Sequence, residues 1–314
     1  MKAKIMRPHK SGIAGKYLVT AIATLSLTAV IAAPSSAAVI AAPSSAAVIA
    51  APLSAAVTRT EVRVPRARTS RHGSFQELEL SRTATDRFES APINAQLIRR
   101  FASHLIQDVE VLQGTPKVVV EGYKADKAIP YMRFYIKNGT LTADTGDIPN
   151  NQSMPKVKIK VYLNEISSLT SYAGDISAGT VTAPGLTLQT FGIGDINITE
   201  ATATSLKATT YGTGDINIGK CTSTSLNLVT QGTGDINIPR AQFTTGRLSS
   251  HGTGDINLTN FEGTQVTAVS HGTGDIILKG TASTAYITIS GTGEVYTDGL
   301  NAPVITKTLL RNDD

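Results

Sequence analysis

The 314-residue chain has no tryptophan, a single cysteine and few aromatic residues of any kind. A lone Cys221 cannot close an internal disulfide, so the fold is not stapled in the way small secreted domains are. No cysteine follows the early apolar run at lipoprotein spacing, which argues against a lipid anchor. Aromatics make up only 5% of the sequence, a poor supply for a groove that stacks sugar rings. Apolar residues spaced i, i+3, i+4, i+7 are missing between about Ser171 and Gly299, which excludes amphipathic helices there. A basic surplus is missing too, despite the formal charge of +5. The 29 lysines and arginines include five before Thr58, and the 24 that remain match the 24 acidic residues. No broad electrostatic footprint for nucleic acid is left. The sequence also holds no Ser-His-Asp arrangement, phosphate loop or Cys-His cluster.

What the chain does have is a repeat of twenty residues. FGIGDINITEATATSLKATT (Phe191 to Thr210) is followed by YGTGDINIGKCTSTSLNLVT, QGTGDINIPRAQFTTGRLSS, HGTGDINLTNFEGTQVTAVS and HGTGDIILKGTASTAYITIS. SYAGDISAGTVTAPGLTLQT precedes them as a worn copy and SGTGEVYTDG follows as another. A fixed period of this length marks stacked coils. In the row from Tyr211, Ile216 and Ile218 alternate with Asp215 and Asn217, and Leu226 and Leu228 alternate with Asn227 and Val229. Such alternation is that of strands with one face inward. The Gly-Thr-Gly of each row reads as a turn whose backbone angles need glycine, and the Thr/Ser/Ala-rich stretch, such as Lys220 to Ser225, as the opposite corner. These features predict a right-handed parallel β-solenoid (a β-helix or β-roll) of ~20-residue coils. Each coil is expected to be flat, with two strands back to back; the competing arrangement is an antiparallel meander of the same strands. The last full row is one residue short, and the gap is expected between Thr281 and Ala285.

The N-terminus reads as an export signal: basic residues to Lys16, an apolar run from Tyr17 to Ala33, then small residues. IAAPSSAAV from Ile31 is repeated from Ile40 and, as IAAPLSAAV, from Ile49, a low-complexity expansion around the cleavage region. The expected segments are 1–57 signal peptide and Ala/Pro/Ser repeat, 58–87 flexible Arg-rich linker, 88–300 β-solenoid domain and 301–314 C-terminal tail. HLIQDVEVLQGTPKVVVEGY (His104 to Tyr123), Tyr131 to Ile136, Gly139 to Ala143 and Lys156 to Tyr162 supply strands without the period. They are expected to form an irregular N-terminal β part that covers the end of the stack. Nothing after the repeat is long enough for a translocator barrel.

Coils ~4.8 Å apart place Asp175, Asp195, Asp215, Asp235, Asp255 and Asp275 in one column. Neighbouring carboxylates then repel by about 0.9 kcal/mol in water. Either each carboxylate accepts from N–H groups of the preceding Gly-Thr-Gly turn, or calcium binds between coils on a ladder of Asp195, Asp215, Asp235, Asp255 and Asp275. The first is the expectation, because calcium-binding nonapeptide rolls carry denser carboxylates at a period of nine. No catalytic residue, other metal or cofactor is implied. Asn197, Asn217, Asn237 and Asn257 form a second outward column suited to a hydrogen-bonded ladder. Thr213, Thr233, Thr253 and Thr273 make one threonine column, whereas an ice-binding face has two. His251 and His271 stack one coil apart and read as solvated turn residues rather than metal ligands.

Phe88, HLIQDVEVLQGTPKVVVEGY, NGTLTADTG (Asn138 to Gly146), the repeated GxGDINI and the closing ISGTGEVYTDG together resemble the head GIN domain, described as an auto-transporter adhesin head of exported bacterial proteins. The resemblance implies an exported β-solenoid without enzymatic activity. The function it suggests is adhesin-like binding through the repetitive outer faces, to a surface glycan or an envelope protein. It involves neither nucleic acid nor a membrane span after signal cleavage, and the location is periplasmic or cell-surface. The alternatives are an envelope scaffold or self-assembling subunit, in which a homo-oligomer is expected, and a polysaccharide-active β-helix enzyme. Covered coil ends would argue against self-assembly.

Overall fold

A computed structural model of the chain describes residues 68–70, 73–94, 98–146 and 154–310. The expected signal peptide, the nine-residue repeats and residues 58–67 and 311–314 lie outside the described residues. Before the twenty-residue repeat come β1 (Arg68–Ser70), β2 (Gly73–Glu77), β3 (Leu80–Ala84), β4 (Arg87–Ser90), β5 (Arg100–Ser103) and β6 (Val109–Gln113). They are followed by β7 (Lys117–Glu121), a short α1 (Ala125–Ala128), β8 (Met132–Lys137), β9 (Thr140–Thr145), β10 (Lys158–Leu163) and β11 (Ser168–Ser171). The repeat itself gives β12 (Ile176–Thr190), β13 (Ile196–Thr210), β14 (Ile216–Thr230), β15 (Ile236–Ile238), β16 (Ala241–Ser250), β17 (Ile256–Ser270) and β18 (Ile276–Ile289). The last strands are β19 (Val295–Asn301) and β20 (Val304–Leu309). Only the fourth row is split, where Pro239 has no N–H to give to a ladder.

The repeat forms a parallel β-solenoid, and the stack has about seven turns. Each residue pairs with the one twenty positions on: Ile196 with Ile216, Ala201 with Cys221, Leu206 with Leu226, Thr210 with Thr230. The antiparallel meander is thereby ruled out for the rows. The coil is not flat, however. In β14 the buried residues are Ile216, Ile218, Cys221, Ser223, Leu226, Leu228 and Thr230. Alternation breaks twice, at Gly219-Lys220 and at Thr224-Ser225, where two successive residues face out. A chain that turns two neighbours outward is bending round its interior, so each coil has three straight runs and closes through the glycine turn. The middle run escaped the sequence reading because its inward residues are small or polar: Ala201 and Ala203, Cys221 and Ser223.

Ile176, Ile196, Ile216, Ile236, Ile256 and Ile276 fill one interior column, capped by Val295. Size is balanced between rows where the column is not uniform. Phe243 packs on Phe261, ring centroids 5.4 Å apart, and both fill space that glycines leave. A Cβ on Gly246 or Gly263 would lie 2.7 or 2.4 Å from the Phe243 ring. The missing residue of the last full row is not between Thr281 and Ala285. The register slips between Thr259 and Phe261, so that Lys279 and Gly280 flank the deletion and Asn260 stands out alone at φ 49°. Asparagine tolerates that left-handed angle better than most residues. The strands on either side stay in register because the slip falls at a corner.

At the N-terminal end the stack continues out of chain order. Ile176–Ala178 of β12 pairs in parallel with Val109–Val111 of β6, and Ser168–Ser171 with Arg100–Ser103 of β5. Residues 100–111 thus supply the coil below 168–178. Below it β6 still pairs in parallel with β10 and β5 with β9; from there the pairing turns antiparallel, through β10, β7, β4 and β3 on one side and through β9, β8, β2 and β1 on the other. This is the expected irregular part, and it closes the end with hairpins. Residues 73–84 and 87, read from sequence as linker, belong to these hairpins; Leu78, Leu80 and Phe88 pack on the core and hold them there. Glu89 bridges Arg87 and Lys117, and Glu121 bridges Arg87 and Lys160, across β4, β7 and β10. Hydrogen bonds from those cations hold the Glu89 and Glu121 carboxyls below the usual range. In such solvent-facing positions each pair contributes little stability by itself.

Turn glycines are required for closeness rather than for backbone angle. None of the repeated turn glycines has a left-handed φ, yet a Cβ on Gly232 would sit 2.1 Å from the carbonyl oxygen of Gly212. Gly232→Ala is therefore expected to lose about 2–3 kcal/mol of stability. Gly185→Ala, where nothing lies within 4 Å, is expected to change stability by less than ~0.5 kcal/mol. Urea unfolding of the two variants measures the contrast.

Candidate functional site

The glycine turn carries the most regular set of polar contacts. Asp195 N–H donates to Asp175 Oδ1 at 2.9 Å, Asp215 to Asp195 at 2.8 Å, Asp235 to Asp215 at 2.8 Å, Asp255 to Asp235 at 2.7 Å and Asp275 to Asp255 at 2.7 Å. Asp108 extends the column downward and Glu294 N–H closes it above. The carboxylates accept from the aspartate of the following coil, not from the preceding Gly-Thr-Gly as sequence suggested. The N–H groups of Thr213 and Gly214 are already committed to Gly192 O, so they are not free for a side chain. Burial pushes the Asp235 carboxyl up; the Asp255 N–H opposes this, and the charges of Asp215 and Asp255 add to it. Just inside the turn, buried Thr190, Thr210 and Thr230 donate to Gly214 O, Gly234 O and Gly254 O at 2.8–3.0 Å. That threonine column was not singled out in the sequence, although it ends the rows through Thr230.

The asparagine ladder forms as expected. Asn217 Nδ2 donates to Asn197 Oδ1, Asn237 to Asn217 and Asn257 to Asn237, at 3.1, 3.0 and 2.8 Å. A further column runs past the start of the rows, of which sequence reasoning found only the His251–His271 pair and not the aromatic part. His104, Tyr172, Phe191 and Tyr211 stack in succession, with centroids 3.9, 5.3 and 4.6 Å apart and planes within 15°. His251 and His271 continue it after Gln231, stacked at 4.9 Å. The aromatics are few, yet half-exposed Phe191 and Tyr211 sit one above the other. Their faces cover each other, so they present edges rather than a platform for sugar rings. The ring nitrogens of His251 and His271 lie on Ser249 Oγ and Ser290 Oγ, at 2.9 and 2.5 Å. Among the described residues no three His, Cys, Asp or Glu side chains converge. Cys221 is buried in the core, which raises its thiol to about 11 and leaves it unreactive.

The third run of the coils, from Leu226 to Thr230 and its equivalents, offers a different surface. Its outward column reads Thr187, Lys207, Asn227, Arg247, Thr267 and Tyr286. Around Arg247 the surface dips into a depression of about 330 Å³ lined by Ser225, Asn227, Thr245, Gln265 and Thr267. Asn227 Oδ1 is shielded there and accepts no hydrogen bond, an arrangement that leaves an acceptor to be satisfied. Arg247 is exposed and forms no ion pair among the described residues. An exposed arginine fork beside hydroxyls and amides suits a ligand with both acidic and hydroxyl groups.

The family described as "Putative auto-transporter adhesin, head GIN domain" matches residues 103–245 and 228–308. Among solved structures, a "putative lipid binding protein" from Parabacteroides distasonis is 16% identical, with a TM-score of 0.60 over 72% of this chain and 94% of that one. A "putative adhesin" from Bacteroides fragilis is 16% identical with a TM-score of 0.51, over 72% and 97%. Another "putative adhesin" from P. distasonis is 13% identical with a TM-score of 0.55, over 74% and 96%. At such identities the likeness is one of fold. No curated protein matches the sequence.

Asp235→Asn keeps an acceptor and removes a charge that burial disfavours. A raised folded-state value means the wild-type group contributes most below its unfolded value near 3.8, and that contribution is lost as pH rises through the folded value. Thermal melts should show Asp235→Asn above wild type at pH 7, with the gap closing as pH falls toward 3.8. Asp235→Ala leaves the Asp255 N–H without its acceptor and should cost about 1–3 kcal/mol at pH 7. Because one oxygen of each carboxylate is held by the next coil, the melt is expected to be the same in calcium and in chelator. A rise of many degrees with calcium would instead make Asp195, Asp215, Asp235, Asp255 and Asp275 a metal ladder.

Proposed function

This chain belongs to the head GIN domain family, and from that premise we propose that it is a non-catalytic, adhesin-like protein of the bacterial envelope or surface. It holds an extended polar polymer, a surface glycan carrying acidic groups, along the third run of its coils. The observation that carries this reading is the depression around Arg247, where a free guanidinium stands in a ladder of hydroxyl and amide side chains. Repetition supports it as well. Outward groups recur at the coil spacing of ~4.8 Å, so a polymer crossing several coils makes several weak contacts whose effect multiplies. Lys207 and Tyr286 lie in the same column as Arg247 and extend the contact on either side. An enzymatic reading lacks support, because the carboxylates of the glycine turn are each engaged by the N–H of the next coil's aspartate and no three His, Cys, Asp or Glu side chains converge among the described residues. Export agrees with the family and with the basic and apolar N-terminal pattern, and no described helix is long and apolar enough to cross a membrane.

Titration of the full chain with polygalacturonate and with a neutral glucan, read by calorimetry, tests the assignment. Tight binding of the acidic polymer is expected, weakened about tenfold in Arg247→Ala with an unchanged melt. Equal retention of both polymers, or of neither, would remove the third run as the binding face.

A further inference from the structure

The two ends of the stack are built differently. The N-terminal end is closed by the antiparallel hairpins of β3–β4 and β1–β2. At the other end β19 and β20 each pair with β18 and, among the described residues, with nothing beyond it. Their outer edges leave a row of N–H and C=O groups open to another strand. All six residues of β20 are exposed, with Val304 at 51%, Ile305 at 46% and Leu309 at 62%.

Register shows which of these side chains belong to the interior. Ile305, Lys307 and Leu309 stand opposite Ala285, Ile287 and Ile289, which are all buried. Aligned residues of parallel neighbours share a face, so these three point along the interior columns, and Val304, Thr306 and Thr308 point outward. Lys307 ends the column Leu188, Ala208, Leu228, Leu248, Ala268 and Ile287. A lysine in a core column is out of place unless the coil that would bury it is meant to be refused or must bring a carboxylate.

We propose that the free edge of β20 is an interaction surface for an extended strand of a partner protein whose inward positions read apolar, acidic, apolar, and that Lys307 bars a second copy of this chain from the same place. The geometry separates the two occupants. Two copies meeting end to end about a twofold axis would pair β20 with β20 in antiparallel fashion. Directly opposite residues then share a face, so each Ile305 would meet a Leu309 and the two Lys307 ammonium groups would face each other inside the joined core. Burying like charges unpaired is strongly unfavourable. A carboxylate in the same position turns that repulsion into an ion pair flanked by two apolar contacts, with main-chain bonds along the edge. The inward lysine thus acts as negative selection on an otherwise adhesive edge. The edge used here faces along the stack, at the end of the run whose outward face carries Arg247 three coils earlier.

Fluorescence anisotropy of the full chain with two labelled peptides, Thr-Ile-Thr-Glu-Thr-Leu-Thr and its Lys-centred counterpart, tests the proposal. The Glu peptide should bind about tenfold more tightly than the Lys peptide, and Lys307→Glu should reverse the order. Lys127→Glu, at an exposed position of α1 among the strands of the closed end, should leave the order unchanged. By sedimentation the unaltered chain should remain monomeric, while Lys307→Ile should associate end to end. Equal binding of the two peptides, binding of neither, or association of the unaltered chain lost on capping this edge with Lys307→Glu would overturn it. The polygalacturonate titration reads the other face, so failure there leaves this result independent.

Discussion

Successive coils touch backbone to backbone at the glycine turn, and most of the structure follows from that closeness. The carbonyl of each turn glycine lies where the next coil's glycine would carry a Cβ, about 2.1 Å away in the rows from Tyr211 to His271. A turn of this kind can be stacked only on its own copy, at a single height and in a single register. Coil spacing is thereby fixed where the chain is most tightly bent, and the three runs inherit it. The buried threonines behind the turn tie it further, since each hydroxyl reaches a glycine carbonyl of the following coil. A side chain at that contact would push the coils apart and unzip the ladders on both sides.

Fixed register explains why unlike residues behave alike in the outward columns. Aspartates that would repel are threaded by main-chain N–H groups, asparagines bond nose to tail, and four rings stack in order from His104 to Tyr211. Each column uses its own chemistry to accommodate the same imposed spacing. Groups engaged this way have little left to offer a substrate. The proposed glycan contact falls where the columns change identity, as between Asn227 and Arg247, where neighbours do not pair with each other. The interior obeys the same constraint through size. Phe243 and Phe261 fit because Gly246, Gly263 and Gly280 give way beside them.

A stack without end residues would go on recruiting strands. This chain closes its first end by turning parallel pairing into antiparallel hairpins, laced by Arg87, Glu89, Lys117, Glu121 and Lys160. At its last end β19 and β20 have no further strand beyond them among the described residues, and the inward column there ends in a charge, Lys307. Family membership agrees with an elongated binding scaffold, and relatives at 13–16% identity keep the fold. What this chain shares with them is the fold, which by itself does not fix a ligand.

Much of the fold was legible in the sequence because the constraint is periodic. A glycine pair every twenty residues, with isoleucine two and four places after the second glycine, leaves few alternatives to a parallel stack, and the columns from Ile176 to Ile276 follow by counting. The asparagine ladder was legible for the same reason. Features that depend on how far the chain bends were not. The middle side of the coil is lined by Ala203, Cys221 and Ser223, whose composition resembles a loop, and only burial reveals them as interior. Strand β2 looked like linker because its partner β8 lies far along the chain, and the β3–β4 hairpin because it is held in place through β7, about thirty residues beyond β4. The carboxylate partners were misplaced by one coil, since sequence does not say which N–H groups the turn has already used. Lys307 reads as part of a charged tail until pairing with Ile287 turns it inward. The sequence by itself determined the period, the strand content and the order of the columns, because those depend on local alternation and repeat length. Tertiary structure alone decided the three-sided coil, the closed and open ends and the depression at Arg247, because each arises where segments distant in the chain come to share one surface.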